Sequence, residues 1–107
     1  MVDITHKSTT LRRAIAQATI QVSGQETIDA VVNNTVPKGN VFEMAKTAGL
    51  FAVKKTSDVI PDCHPLPVEF TGVTYKIEGL QIFIEVEVKT IYRTGVEVEA
   101  MHGASVV

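Results

Sequence analysis

The sequence contains one cysteine, no tryptophan and no long apolar run. A single cysteine excludes an internal disulfide, and the expected compartment is a reducing cytoplasm. No apolar stretch reaches the roughly 18 residues of a membrane-spanning helix, and residues 1–10 show no apolar signal segment, so we expect no membrane association. The net charge of −2 gives no overall attraction to nucleic acid.

The chain does have enough apolar sequence for one small domain spanning residues 1–107. Hydrophobic residues make up 45% and charged residues 21% of the chain, which is typical of a globular domain. A domain of this size buries only a modest share of its surface, so association with further chains would stabilise it.

Alternating apolar and polar residues predict strands over residues 12–22, 68–78 and 80–92. Glu78-Gly79 is the expected turn of a hairpin between the last two strands. In the third strand one face is apolar and is expected to be buried, and it comprises Ile82, Ile84, Val86 and Val88.

Helical spacing follows the first strand. The S-x-x-E sequence that begins at Ser23 predicts a capping box and a short helix ending near Asn33-Asn34. Asn40 is the predicted N-cap of a longer helix, in which Gly49 indicates close packing. The apolar residues of this helix are expected to form one broad face, made of Val41, Met44, Ala45, Ala48, Phe51 and Ala52.

A last helix is expected after a second capping box, the T-x-x-E sequence from Thr94 to Glu97. The resulting order β-α-α-β-β-α predicts an α+β fold of the ferredoxin-like kind, with an antiparallel sheet and helices packed on one face. The final strand of that fold is absent, and the chain ends in the apolar run "ASVV". We therefore expect the C-terminal helix and last strand to be cut short and one sheet edge to be open to aggregation.

Residues 60–67, "IPDCHPLP", place a cysteine beside a histidine between prolines. Zinc needs three or four ligands, and only His6 and His102 remain as other imidazoles, so we predict no metal site. Cys63 and His64 are also a weak nucleophile and base pair, because neighbours in a loop rarely point at each other. From the residues alone, a stiff loop with a buried Cys63 and a hydrogen-bonded His64 is favoured.

Two groups of charges could carry chemistry. Glu97 and Glu99 could line one cleft at the turn into the last helix and act as acid and base, or Glu97 could only cap a solvated turn. Lys38, Lys54-Lys55 and Arg12-Arg13 could together hold a polyphosphate. Each of these cations taken alone is better explained as a solvated surface charge.

The order of the motifs is more specific than any one of them. The stretches "MVDITHKSTTLRRA", "PKGNVFEMAKTAGLFAVKKTSDVIPDCHPLP" and "RTGVEVEAMHGASVV" together resemble the MoaC family of cyclic pyranopterin monophosphate synthases. The resemblance implies a lyase of molybdenum-cofactor biosynthesis that converts 3′,8-cyclo-7,8-dihydroguanosine 5′-triphosphate to cyclic pyranopterin monophosphate and releases pyrophosphate. It also implies a homohexamer built as a trimer of dimers, with active sites where subunits meet. No cofactor is implied, and magnesium would enter only on the substrate triphosphate.

Positions that match the family motifs imply the site residues. The implied catalytic residues are Lys38, His64, Glu97 and Glu99. The implied substrate-binding residues are Arg12, Lys54, Asp62, Cys63, His64, Val98 and Glu99. No protein metal site is implied.

The sequence departs from the family pattern in three ways. Asn40 replaces a common Asp, and Asp62 stands where Leu is frequent. The family continues beyond "ASVV" with a helix that carries a catalytic Asp and a Lys, then a strand and a Gly-Gly-Lys-Ser tail. The expectation is that the 107-residue chain alone is inactive. The alternative from another class is therefore a non-catalytic ferredoxin-like module that binds a nucleotide or assembles with partners.

Overall fold

A three-stranded antiparallel sheet is the framework of the molecule, and the computed structural model describes all of residues 1–107. The strands are β1 (Thr10–Gln21), β2 (Phe70–Glu78) and β3 (Gln81–Tyr92), in the order β1-β3-β2. The helices are α1 (Gln25–Val32), α2 (Val41–Lys54), α3 (Thr56–Val59) and α4 (Glu97–Val106). This arrangement confirms the predicted α+β fold. None of the helices is long and apolar enough to cross a lipid bilayer.

The central strand β3 supplies the middle of the core. Its alternating residues Ile82, Ile84, Val86 and Val88 are each at most 7% exposed, as the period of two predicts. Val86 pairs with the small Ala16 of β1, which leaves room for α4 to cover this part of the sheet. The hairpin turn also falls where the sequence places it, because Gly79 follows β2 with a φ of +57° that favours glycine.

Helices α2 and α4 approach each other at two glycines. A Cβ on Gly103 would lie 2.6 Å from Val53 Cγ2 and 3.3 Å from Val86 Cγ1. A Cβ on Gly49 would collide with the Val107 side chain. The close packing predicted at Gly49 is confirmed, and Gly103 is its counterpart on α4.

One of the three predicted helix caps is confirmed. The Asn40 side chain accepts a hydrogen bond from the Glu43 backbone N–H at 2.9 Å, which satisfies one of the free donors of the first turn. The predicted boundary of α2 is therefore correct at its start.

The capping box at Ser23 is wrong. Gly24 is the N-cap of α1 and makes no side-chain capping bond. The physical reason is that the Val22 N–H still bonds to the Leu80 carbonyl at 2.9 Å. The chain leaves the sheet only after that residue, which moves the helix start beyond Ser23.

The capping box at Thr94 is also wrong. Val96 is the N-cap of α4 without a side-chain bond, and Glu97 is the first helical residue. Val96 is fully buried, so its packing into the core sets where the helix begins. Thr94 consequently lies outside the helix and cannot cap it.

The broad apolar face predicted for α2 is only partly buried. Ala52 is buried, as are Gly49 and Val53, whereas Met44 is 56% and Phe51 64% exposed. The helix turns its stripe of small residues toward α4, and the larger side chains fall on the neighbouring, uncovered stripe. The helix thus leaves large apolar side chains facing outward.

The molecule is elongated and exposes more surface than a compact monomer. Its extents are 53 × 23 × 20 Å and its radius of gyration is 15.9 Å, against about 13 Å expected for this length. Its accessible surface is 6672 Å², whereas a compact monomer of 11.6 kDa would expose roughly 5,800 Å². The apolar side chains of Leu11, Ile15 and Ile91 on β1 and β3 contribute to this excess.

We predict that Gly103→Val destabilises the fold by about 1–3 kcal/mol, because the new side chain must overlap the buried Val53 and Val86. Urea unfolding followed by circular dichroism would measure the loss. Ser105→Val introduces the same residue at an exposed position of α4 and should change stability by less than about 0.5 kcal/mol. Equal effects of the two substitutions would contradict close packing at Gly103.

Candidate active site

The loop between α3 and β2 holds the cysteine and histidine in a fixed backbone. Near its start, the Cys63 N–H bonds to the Ile60 carbonyl at 3.1 Å. Near its end, the hydroxyl of the fully buried Thr90 donates to the Pro67 carbonyl. Prolines at positions 61, 65 and 67 restrict the backbone further. The predicted irregular loop is confirmed, whereas Cys63, which was predicted to be buried, is half-buried.

The Cys63 thiol faces a buried carboxylate. Its Sγ donates to Glu99 Oε1 at 3.2 Å, and Glu99 is only 3% exposed. Burial, then the hydrogen bond to Glu99 and its negative charge, raise the pKa of Cys63 to about 11. The thiol is consequently protonated at neutral pH and acts as a hydrogen-bond donor. No group of three or more His, Cys, Asp or Glu side chains gathers as metal ligands would.

Two buried polar atoms have no protein partner. Glu99 Oε2 and Arg12 Nε are both inaccessible and unbonded. Arg12 lies on β1 directly opposite Thr90, whose hydroxyl holds the end of the loop. Buried polar atoms are nearly always hydrogen-bonded, so these two atoms are unsatisfied polar groups close to the loop.

A narrow crevice joins three of the predicted site residues. Its walls include Lys54 at the end of α2, His64 of the loop and Glu99 in the first turn of α4. The structure thus brings Lys54, Cys63, His64 and Glu99 together around one point. A larger, open cavity of about 400 Å³ lies on the outer face of the sheet, but none of the predicted site residues lines it.

The N-terminal segment lies against the same loop. The Val2 carbonyl is 2.6 Å from His64 Nε2, and the Met1 amino group is 3.3 Å from an Asp62 carboxylate oxygen. Asp62 is otherwise exposed, with 88% of its side chain accessible. Its carboxylate therefore faces outward, while His64 is half-buried between the segment and the crevice.

A second histidine contact lies one turn further along α4. The buried Thr56 hydroxyl is 3.0 Å from the Ala52 carbonyl, 3.1 Å from the Val53 carbonyl and 3.0 Å from His102 Nδ1. Carbonyls only accept, so the single hydroxyl hydrogen goes to them and His102 Nδ1–H donates to Thr56. The contact fastens α4 to the α2–α3 corner. No local pattern could reveal it, because the two residues are 46 positions apart.

Comparison with known proteins places the chain in a family. The model of the MoaC family matches residues 1–107. The chain belongs to the MoaC family. It is 44% identical over 106 residues to a probable cyclic pyranopterin monophosphate synthase of Saccharolobus solfataricus, a match that covers 99% of this chain and 70% of that protein. It is 42% identical to the cyclic pyranopterin monophosphate synthase of Nitratidesulfovibrio vulgaris, covering 97% of this chain and 65% of that protein.

Not all the residues that the MoaC resemblance implies come together in one chain. Lys38 precedes α2, beside an apolar groove at that end of the helix, whereas Lys54 is its last residue. The 14 residues of α2 span roughly 20 Å at 1.5 Å per residue, which separates the two lysines. The roles of these residues stay predictions.

The paired acids also diverge. Glu99 is buried against Cys63, but Glu97 is exposed, because positions two apart on a helix differ by about 200° in direction. Val98, between them, is 36% exposed. Within one MoaC chain, only Glu99 of this acidic pair therefore lines the crevice.

We predict that Glu99→Gln increases the reactivity of Cys63. Removing the carboxylate charge lowers the pKa of the thiol, although burial still holds it above its ordinary value. The rate of alkylation by iodoacetamide, followed from pH 7 to 11, should therefore rise at a lower pH in the variant. Glu97→Gln removes an exposed charge from the same helix turn and should leave the profile unchanged. Superimposable profiles for Glu99→Gln and the unmodified protein would contradict the Cys63–Glu99 contact.

Proposed function

We propose that this chain is a cyclic pyranopterin monophosphate synthase of molybdenum-cofactor biosynthesis. Its substrate would be 3′,8-cyclo-7,8-dihydroguanosine 5′-triphosphate, and its products cyclic pyranopterin monophosphate and pyrophosphate. The observation that carries the proposal is the crevice in which Lys54, His64 and the buried Glu99 meet, in a chain of the MoaC family. A base, an acid and a cation around one point suit a rearrangement that moves protons on an anionic substrate.

Each group of the crevice has a chemical task in this proposal. His64 exchanges protons with the substrate during ring rearrangement. Glu99 provides the carboxylate of the crevice, and Cys63 holds its Oε1 in place through the hydrogen bond between them. Lys54 and Arg12 neutralise charge on the triphosphate, which has its largest effect where water is excluded. Magnesium would be part of the substrate, bound to its phosphates.

We further propose that the working site is shared between copies of the chain, in a hexamer built as a trimer of dimers. The separation of Lys38 from Lys54 along α2 supports this, since one chain cannot bring both cations to the same phosphates. The exposed Met44 and Phe51 of α2 and the elongated shape also support association. The expected compartment is the cytoplasm, consistent with a single free cysteine.

A non-catalytic nucleotide-binding or assembly module is the less favoured alternative. The relatives of this chain carry synthase names, and the crevice retains groups that transfer protons. The decisive assay supplies the cyclic dihydroguanosine triphosphate and measures released pyrophosphate. No release by the full-length protein at micromolar enzyme would reject the synthase and favour the module.

We expect His64→Ala to reduce kcat by about 10²–10⁴, the usual loss when an acid–base group is removed, while the fold is retained. Pyrophosphate release and circular dichroism would be measured on the same preparation. His6→Ala removes an exposed histidine outside the crevice and should leave kcat unchanged. Unfolding by His64→Ala, with normal activity in the remaining folded fraction, would show that His64 is structural.

A mixing experiment tests the shared site. Lys38→Ala and His64→Ala should each be nearly inactive, but equal amounts refolded together should regain about a quarter of the unmodified activity. Half of the dimers would then pair the two variants, and in each of these one of the two symmetric sites would have both residues intact. A mixture as inactive as its components would contradict sharing of these residues. Lys46→Ala, an exposed lysine of α2, serves as the control for loss of charge.

A further inference from the structure

We propose that the N-terminal segment, residues 1–4, positions His64 for proton transfer through the Val2 carbonyl. The inference concerns which nitrogen of His64 acts, and its catalytic part rests on the function proposed above. The assignment follows from a single contact, the 2.6 Å distance between His64 Nε2 and the Val2 oxygen. A carbonyl oxygen carries no hydrogen, so this bond forms only when Nε2 is protonated.

The neutral form of His64 is therefore the Nε2–H tautomer, with its free lone pair on Nδ1. A neutral imidazole donates from one nitrogen and accepts at the other. No protein group is hydrogen-bonded to His64 Nδ1, although Lys54 and Glu99 line the same crevice. Nδ1 is thus the atom that takes a proton from the substrate or returns one to it.

The segment is anchored well enough to hold this carbonyl. Ile4 is 8% exposed, and its carbonyl accepts from the Lys7 N–H at 3.1 Å. The Asp3 carboxylate accepts from the Thr5 backbone N–H at 2.9 Å and from the Thr5 hydroxyl at 2.8 Å. These bonds fix the turn that follows Val2, so the position of the Val2 carbonyl is set by local structure and by one buried side chain.

The contacts of the loop backbone fix its course but not the orientation of the His64 imidazole ring. The loop backbone is held by its prolines, by the Cys63–Ile60 bond and by the Thr90–Pro67 bond. Rotation of the ring and the choice of tautomer remain free, and the Val2 contact settles both. A hydrogen bond of this kind at the second nitrogen is a general way to orient a working histidine.

Long-range ¹H–¹⁵N correlation spectra of the histidine rings would test the tautomer without any assay. His64 should show protonated Nε2 and unprotonated Nδ1. His102 should show the opposite pattern, because its Nδ1–H donates to Thr56, and the exposed His6 should show exchange-averaged signals. A His64 with protonated Nδ1, or one averaged like His6, would overturn the proposal.

Removal of residues 1–3 tests the positioning role. We expect His64 to become exchange-averaged and kcat to fall on the order of tenfold with little change in KM. Ile4→Ser, which loosens the anchor without shortening the chain, should act in the same direction, and circular dichroism would confirm its fold. Ser8→Ala, an exposed substitution just beyond the segment, should alter neither the spectrum nor kcat.

Different results would count against the positioning role of the N-terminal segment and against the catalytic role of His64. Averaged His64 signals with unchanged kcat in the shortened protein would overturn the positioning role. An unmodified protein that shows the Nε2–H tautomer but releases no pyrophosphate would refute the proposed synthase, and with it the catalytic use of Nδ1, while leaving the His64–Val2 contact established.

Discussion

The close approach of α4 to α2 and β3 is the contact on which the candidate site depends. It is possible because Gly49 and Gly103 present no side chains where the helices meet. Glu99 lies one helical turn before Gly103, on the same stripe of α4. The glycine that brings the helix onto the core therefore also sets the depth of the acid, and Glu99 reaches Cys63 in the loop above it. A wider spacing between these helices would move the carboxylate away from the loop. The core contact and the chemical site are thus two parts of one helix face.

Features that depend on local periodicity were predicted correctly from the sequence. Features that depend on packing between distant residues were not. The alternation of β3 correctly identified its buried face, and Asn40 was correctly identified as a cap, because each depends on neighbours within a few residues. The capping boxes at Ser23 and Thr94 failed because sheet bonding of Val22 and burial of Val96 set the helix starts. The predicted apolar face of α2 was too broad, because the amino-acid sequence alone does not show which stripe of the helix packs against α4.

The sequence predicted which residues belong to the candidate site, but not how they are arranged in space. Motif order pointed to Lys54, Cys63, His64 and Glu99, and the structure brings these four together. The same motifs named Lys38 and Glu97, which lie elsewhere in the chain. Motif matching reports that residues belong to one function, but it cannot tell whether one chain or several must supply them. The Val2 and His102 contacts were invisible for a related reason: one uses a backbone carbonyl, and the other joins residues far apart in sequence.

The protonated state of Cys63 has a consequence for the durability of the protein. Oxidation begins when a thiolate attacks a peroxide or a disulfide, and a thiol with a pKa of about 11 is almost entirely protonated in a cell. The buried acid beside it would be a poor neighbour for a metal-binding or nucleophilic cysteine, which must lose its proton. For a cysteine that only donates a hydrogen bond, the same acid protects the thiol by keeping it protonated. The one cysteine of the chain can therefore lie in the candidate site without making that site the first point of oxidative inactivation.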